Sequence, residues 1–118
     1  MKVEAHRLDD FVRHMLEAIS RIERYTQRLD RADFLQDELV QDAVIRNIEI
    51  IGEAARNIQK HYPSFVLEHS RIPFASAYQM RNAVAHGYFA VDYELVWNTI
   101  QRDLPALRDL LLPLTPPR

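Results

Sequence analysis

The chain has 118 residues, 47% of them hydrophobic and 27% charged, with a formal net charge of −2. That length suits one compact domain rather than two, and a general polyanion binder would be basic, so any nucleic-acid contact must come from a local patch. The absence of cysteine excludes disulfides and thiolate metal sites; no apolar run approaches a membrane span and the charged residues 1–10 are no signal peptide, so the expected location is cytoplasmic.

Glycine occurs only at Gly52 and Gly87, and prolines at Pro63, Pro73, Pro105, Pro113, Pro116 and Pro117 punctuate long uninterrupted stretches. This pattern favours helices, and no segment shows the sustained alternation of a strand. A first helix is expected to start at Asp9 or Asp10, good N-cap residues. Its apolar face runs through Leu8, Phe11, Val12, Met15, Leu16, Ile19 and Ile22 at three- and four-residue steps. Arg13, Arg21, Arg24 and Arg28 fall mainly elsewhere and read as a solvated face.

A second helix is predicted from Asp33 or Asp37 to about Tyr62. Its wide stripe takes in Leu39, Val40, Ala43, Val44, Asn47, Ile48, Ile51, Ala54, Ala55 and Ile58. Gly52 lies inside it and costs about 1 kcal/mol relative to Ala in a helix interior; close approach of a neighbouring helix would compensate. Arg46, Glu49 and Glu53 stand at ion-pair spacings and read as a structural network, with the lesser reading that Arg46 or Glu53 borders a cleft.

Pro63 should end that helix, and Pro63 to Ile72 reads as a loop with room for one turn. Pro73 fits the first position of a third helix running through Ala77 and Met80 to about Ala85, with Gly87 placed to close it in a left-handed conformation. Asp92 should cap a fourth helix with Leu95, Val96, Ile100 and Leu104 inward, and Trp97 on or beside that face as a core aromatic. Pro105 then either kinks this helix or opens a short fifth one through Leu112. The expected architecture is all-α, an antiparallel up-and-down bundle of four to five helices spanning residues 1–112, with 113–118 as a tail.

The chemistry concentrates in one octapeptide, Arg81-Asn82-Ala83-Val84-Ala85-His86-Gly87-Tyr88. A permanently charged guanidinium suits a phosphate, and an imidazole moves protons near neutral pH. On a helix Asn82 and His86 share a face, whereas Arg81 and His86 diverge by about 140° at 3.6 residues per turn. They converge if the helix loosens near Gly87, or if a second copy presents its Arg to the His of the first. An Arg and a His near a helix C-terminus also stabilise its dipole, so spacing alone does not decide between structure and function. His6, His14, His61 and His69 are scattered and read as surface or helix-end residues.

Arg81 to Tyr88 has the form Arg-x4-His-x-Tyr, and so resembles the signature of HepT-like toxins of the HEPN superfamily. The block from Asp37 to Ala54 looks like that family's second helix. Ile72-Pro73-Phe74, Met80-Arg81-Asn82, His86-Gly87-Tyr88-Phe89 and Asp92-Tyr93-Glu94-Leu95-Val96-Trp97 follow in the family's order. One departure falls at Ser76-Ala77-Tyr78-Gln79, where relatives often carry a Gly next to Met80.

The resemblance implies a small helical homodimer with its two motif helices facing each other across a cleft. It further implies a metal-independent endoribonuclease without cofactor, acting as the toxin of a type VII toxin–antitoxin system. A neighbouring nucleotidyltransferase antitoxin, MntA-like, would silence it by transferring AMP to Tyr88. RNA supplies its own nucleophile, so His86 would serve as general base or acid. Arg81 would hold the phosphate, and Asn82 would orient His86 or bind a phosphate oxygen. The alternative reading is a non-catalytic HEPN module that binds nucleotide or RNA and acts through its dimer and its partner.

Overall fold

In a computed structural model that describes residues 2–85 and 91–115, the chain is built on one central helix, with two others laid along it. Helix α1 spans Lys2–Thr26 and α3 spans Glu38–His61; α5, Phe74–Ala85, packs on α3 as extensively as α1 does. The short α2, Arg31–Gln36, and α6, Tyr93–Asn98, sit together at one end of α3, and α7, Leu104–Leu111, returns against α1. Among the described residues there is no strand, and no helix is long and apolar enough to cross a membrane. The all-α bundle expected from the periodicity is the architecture found.

The predicted apolar stripes make the core. Val12, Met15, Ala18, Ile19 and Ile22 of α1 are buried against Val44, Ile48, Ile51, Ala55 and Ile58 of α3. Helix α1 begins well before Asp9, because nothing in Val3 to Leu8 breaks a helix. The expected second helix is two. Asp30 caps α2 by accepting from the Asp33 amide at 2.8 Å, while the Asp33 carboxylate accepts from the Asp30 amide at 3.2 Å. Asp37 then ends α2 and starts α3: its amide donates to the Phe34 carbonyl and its carboxylate accepts from the Val40 amide at 3.0 Å. Gln41, buried, ties the break shut by donating to the Phe34 carbonyl at 2.9 Å. Phe34 is fully buried between Tyr93 and the half-buried Trp97, whose ring centroid is 5.4 Å away.

Several expectations are corrected. Pro63 does more than stop α3: it opens a short helix, α4, Pro63–Glu68, because its missing N–H costs nothing at a first turn. Pro73 precedes α5, and its carbonyl accepts the Ala77 amide at 3.0 Å. Leu95 is 59% exposed, although Val96, Ile100 and Leu104 are buried as predicted. Arg21 is held in the interface between α1 and α3, its Nε donating to Asn47 Oδ1 at 2.7 Å; Asn47 in turn donates to the Ala43 carbonyl. Of the two readings of Pro105, the second holds: it stands in the first turn of a short last helix, α7, which begins at Leu104 and runs to Leu111. The chain widens into a π-turn over Thr99–Asp103, where the Leu104 amide donates to the Thr99 carbonyl, and so accommodates a residue that cannot donate to the ladder. A 3₁₀ turn, Leu112–Leu114, follows α7, and Leu114 packs against the core.

Candidate active site

The site starts from the one glycine inside α3. The Cα of Gly52 faces α5, and a Cβ built there would lie 2.7 Å from Arg81 Cγ, closer still to Arg81 Cβ, and 3.2 Å from the Ala77 carbonyl oxygen. Ala77 and Arg81 are four apart on α5 and therefore share its α3-facing side. A small residue from each helix lets the backbones approach, and the stem of Arg81 fills the space that a side chain at position 52 would take. This is the compensation expected for a mid-helix Gly, and the residue it accommodates is the motif arginine itself.

The guanidinium emerges beyond this contact. Arg81 Nη1 donates to Asn82 Oδ1 at 3.0 Å, and Arg81 Nη2 stands 3.8 Å from Glu53 Oε2. Nε is buried with no hydrogen-bond partner among the described residues. The Arg81 side chain is 28% exposed, so the stem is anchored while part of the head meets solvent. A half-exposed ion pair without a short hydrogen bond contributes little stability, so the Glu53 carboxylate balances the charge without locking it.

Arg81 and Asn82, neighbours in the chain, are thus joined through their side chains. His86 and Tyr88, with Gly87 and Phe89, lie outside the described residues. Helix α5 carries the chain to Ala85, and Asp92 caps α6 on the far side by accepting from the Leu95 amide at 3.1 Å. Arg31 of α2 hydrogen-bonds Glu94, tying the start of α6 to α2.

Arg81 also closes one side of an open pocket of about 330 Å³ over α3, walled on the other side by Phe11 and His14 of α1 and floored by Arg46, Glu49 and Glu53. The ion-pair network expected among those last three is absent among the described residues: Glu53 turns to Arg81, and Arg46 has no acidic partner. The cleft-border reading of Arg46 and Glu53 is the one the geometry supports. His14 had been expected at the surface; it is exposed, yet it lines this pocket with its ring edge-on to Phe11. Its sequence signal was weak, since only the packing of α1 beside α3 puts it near the motif.

A family model described as Ribonuclease HepT-like matches residues 15–114. The chain belongs to the HepT-like ribonuclease family. The matched span runs from the core residue Met15 to the last turn at Leu114 and so takes in Arg81, Asn82, His86 and Tyr88. The chain is 39% identical over 99 residues to a protein of Thermococcus cleftensis named "Probable ribonuclease HepT", covering 84% of this chain and 87% of that one. It is 31% identical over 97 residues to a protein of Caldanaerobacter subterraneus subsp. tengcongensis described as a candidate RNase, covering 82% and 84%. A longer Methanocaldococcus jannaschii protein, described as a gamma-glutamylcyclotransferase and candidate RNase, matches at 37% over 102 residues, which is 86% of this chain but 45% of that one. No solved structure gives a significant match. Membership of the HepT-like family supports an RNase-type function within the HEPN superfamily.

Proposed function

We propose that the protein is a metal-independent endoribonuclease and the toxin of a type VII toxin–antitoxin pair, working as a homodimer on cytoplasmic RNA. The observation that carries this reading is the seating of Arg81. Its stem is fixed on Gly52, its head is oriented by Asn82, and it stands five residues before His86 in a HepT-like chain. A preorganised cation is what phosphodiester cleavage needs, because negative charge builds on the phosphate in the transition state.

The chemistry needs three functions. His86 takes the proton from the 2′-hydroxyl or gives one to the departing 5′-oxygen, and solvent water carries the other of these two proton transfers. The 2′-oxygen bonds to phosphorus as the 5′-oxygen leaves, giving a 2′,3′-cyclic phosphate and a 5′-hydroxyl end. Arg81 holds the non-bridging oxygens, and Asn82, whose carbonyl is engaged by Arg81, has an amide N–H₂ left to donate to phosphate or to His86. Divergence of Arg81 and His86 on one helix is relieved if each cleft combines residues from two copies. Tyr88 is the regulatory handle: a phenol is a poor base at neutral pH. AMP added there by a nucleotidyltransferase antitoxin would bring a bulky anion that competes with RNA for Arg81.

The test is incubation of purified protein with total RNA in EDTA, beside a His86→Ala control. Cleavage by the wild type alone, leaving cyclic phosphate ends, supports the assignment. Equal cleavage by both proteins, or activity that vanishes in EDTA and returns with a divalent ion, overturns it. Binding without cleavage would favour the non-catalytic module.

A further inference from the structure

The pocket beside Arg81 holds a second guanidinium to which the reaction gives no role. Arg46 is exposed and has no ion-pair or hydrogen-bond partner among the described residues, although Glu49 stands one turn along the same helix. It shares the pocket floor with Glu53 and the pocket itself with Arg81. Positions 46, 49, 53 and 57 recur at three- and four-residue steps and form one stripe of α3, open to solvent between α1 and α5. At about 1.5 Å rise per residue, Arg46 stands roughly 9 Å from Gly52 along the helix axis. A long, flexible stem lets its head reach across the pocket that it shares with Arg81.

We propose that Arg46 is a backbone-binding residue, taking the RNA phosphate next to the one that is cut; the inference rests on the ribonuclease reading of Arg81. The pocket carries Arg46 and Arg81 against Glu49 and Glu53, and Arg81 stands near Glu53, which leaves Arg46 as the guanidinium without an ion pair among the described residues. In a chain whose net charge is −2, an anionic strand needs local cations that are free to reach it, and among the described residues Arg46 is one held by no ion pair. Phosphate contacts of this kind position a strand without reading its bases. Exposed His14, on the opposite wall, can donate a hydrogen bond to the same strand.

The experiment is a salt series of binding, by fluorescence anisotropy, to a short single-stranded RNA with every 2′-hydroxyl methylated so that it cannot be cut. Wild type, Arg46→Gln, Arg46→Ala and the control Arg71→Gln, an exposed arginine outside the pocket, are compared, each checked by thermal melting. Position 46 is an exposed helix site, and Ala, the best helix former, guards against misfolding. Loss of one phosphate contact should weaken binding about tenfold and reduce the slope of log K against log salt by about 0.7. On cleavable RNA, KM should rise by a similar factor with kcat within about twofold. Wild-type affinity and slope in both Arg46 variants overturn the proposal. So does an equal loss in Arg71→Gln, a fall in kcat at unchanged KM, or a wild type that binds no strand. A wild type that binds the methylated strand but cuts no RNA sinks the nuclease reading and leaves the binding result for Arg46 standing.

Discussion

Gly52→Ala isolates the contact on which the candidate site is built. Intrinsic propensity alone says this change should help, because Ala is favoured over Gly in a helix interior by about 1 kcal/mol. The geometry says otherwise. The new methyl would meet Arg81 Cγ at 2.7 Å and Arg81 Cβ closer still, against about 3.5–4.0 Å for ordinary carbon contact. Neither atom is the free end of a side chain: Cβ moves only with the α5 backbone. The two helices must therefore separate by about 1 Å or more, at a close contact in one of the molecule's two main interfaces. Overpacking of this kind costs about 1–3 kcal/mol, which outweighs the propensity gain or nearly cancels it. Misplacing a reacting group by that distance can cost about 10²-fold in rate. The expected outcome is a melting temperature unchanged or lower by a few degrees, with RNA cleavage down by about 10²-fold. Thermal denaturation and a single-turnover cleavage assay read the two effects. In an Arg81→Gly background, which removes the opposing Cβ and Cγ, the stability cost of Gly52→Ala should shrink. A stabilised Gly52→Ala protein with full activity would refute the argument, because propensity would then have prevailed and Arg81 would not depend on the glycine.

Arg81→Ala keeps the Cβ over Gly52 while deleting the guanidinium; it should fold normally and lose about 10²–10³-fold in kcat, read by circular dichroism beside a cleavage assay. Tyr88→Phe should retain most cleavage yet escape silencing, and mass spectrometry after co-expression with a neighbouring nucleotidyltransferase should find AMP on Tyr88 of the wild type alone. Light scattering at micromolar concentration should give the mass of a dimer; a monomer with full activity would remove the need for two copies at one cleft.

Much of the fold was legible because its causes are local. The apolar periods of α1 and α3 gave the core faces, and Asp37 and Asp92 marked helix starts because a short carboxylate can satisfy the free amides of a first turn. The failures are equally physical. Leu95 was assigned inward on periodicity, but a six-residue helix against α2 buries one narrow face, which Val96 occupies. Arg21 read as solvated because sequence does not show that Asn47, across the interface, offers its carbonyl oxygen. The π-turn before Pro105 has no period of its own: it is a compromise between a continuing helix and a residue that cannot donate.

At the site, the motif was visible but its support was not. Gly52 announced a close approach without naming the partner, since α3 could have met either of its long neighbours there. Only the packing shows that the partner is Arg81, which makes one side chain serve two ends. Its Cβ and Cγ belong to the helix interface and its head to the pocket. The two uses constrain each other. Tight packing of the stem limits the arcs through which the guanidinium can swing, and this reduces the ordering entropy that a long exposed side chain would otherwise lose on gripping a phosphate. Arg46, with no comparable seat, must lose that entropy when it binds. On the proposed ribonuclease reading, Arg81 would therefore suit the transition state, where geometry is decisive, and Arg46 the ground-state hold on the strand, where charge suffices.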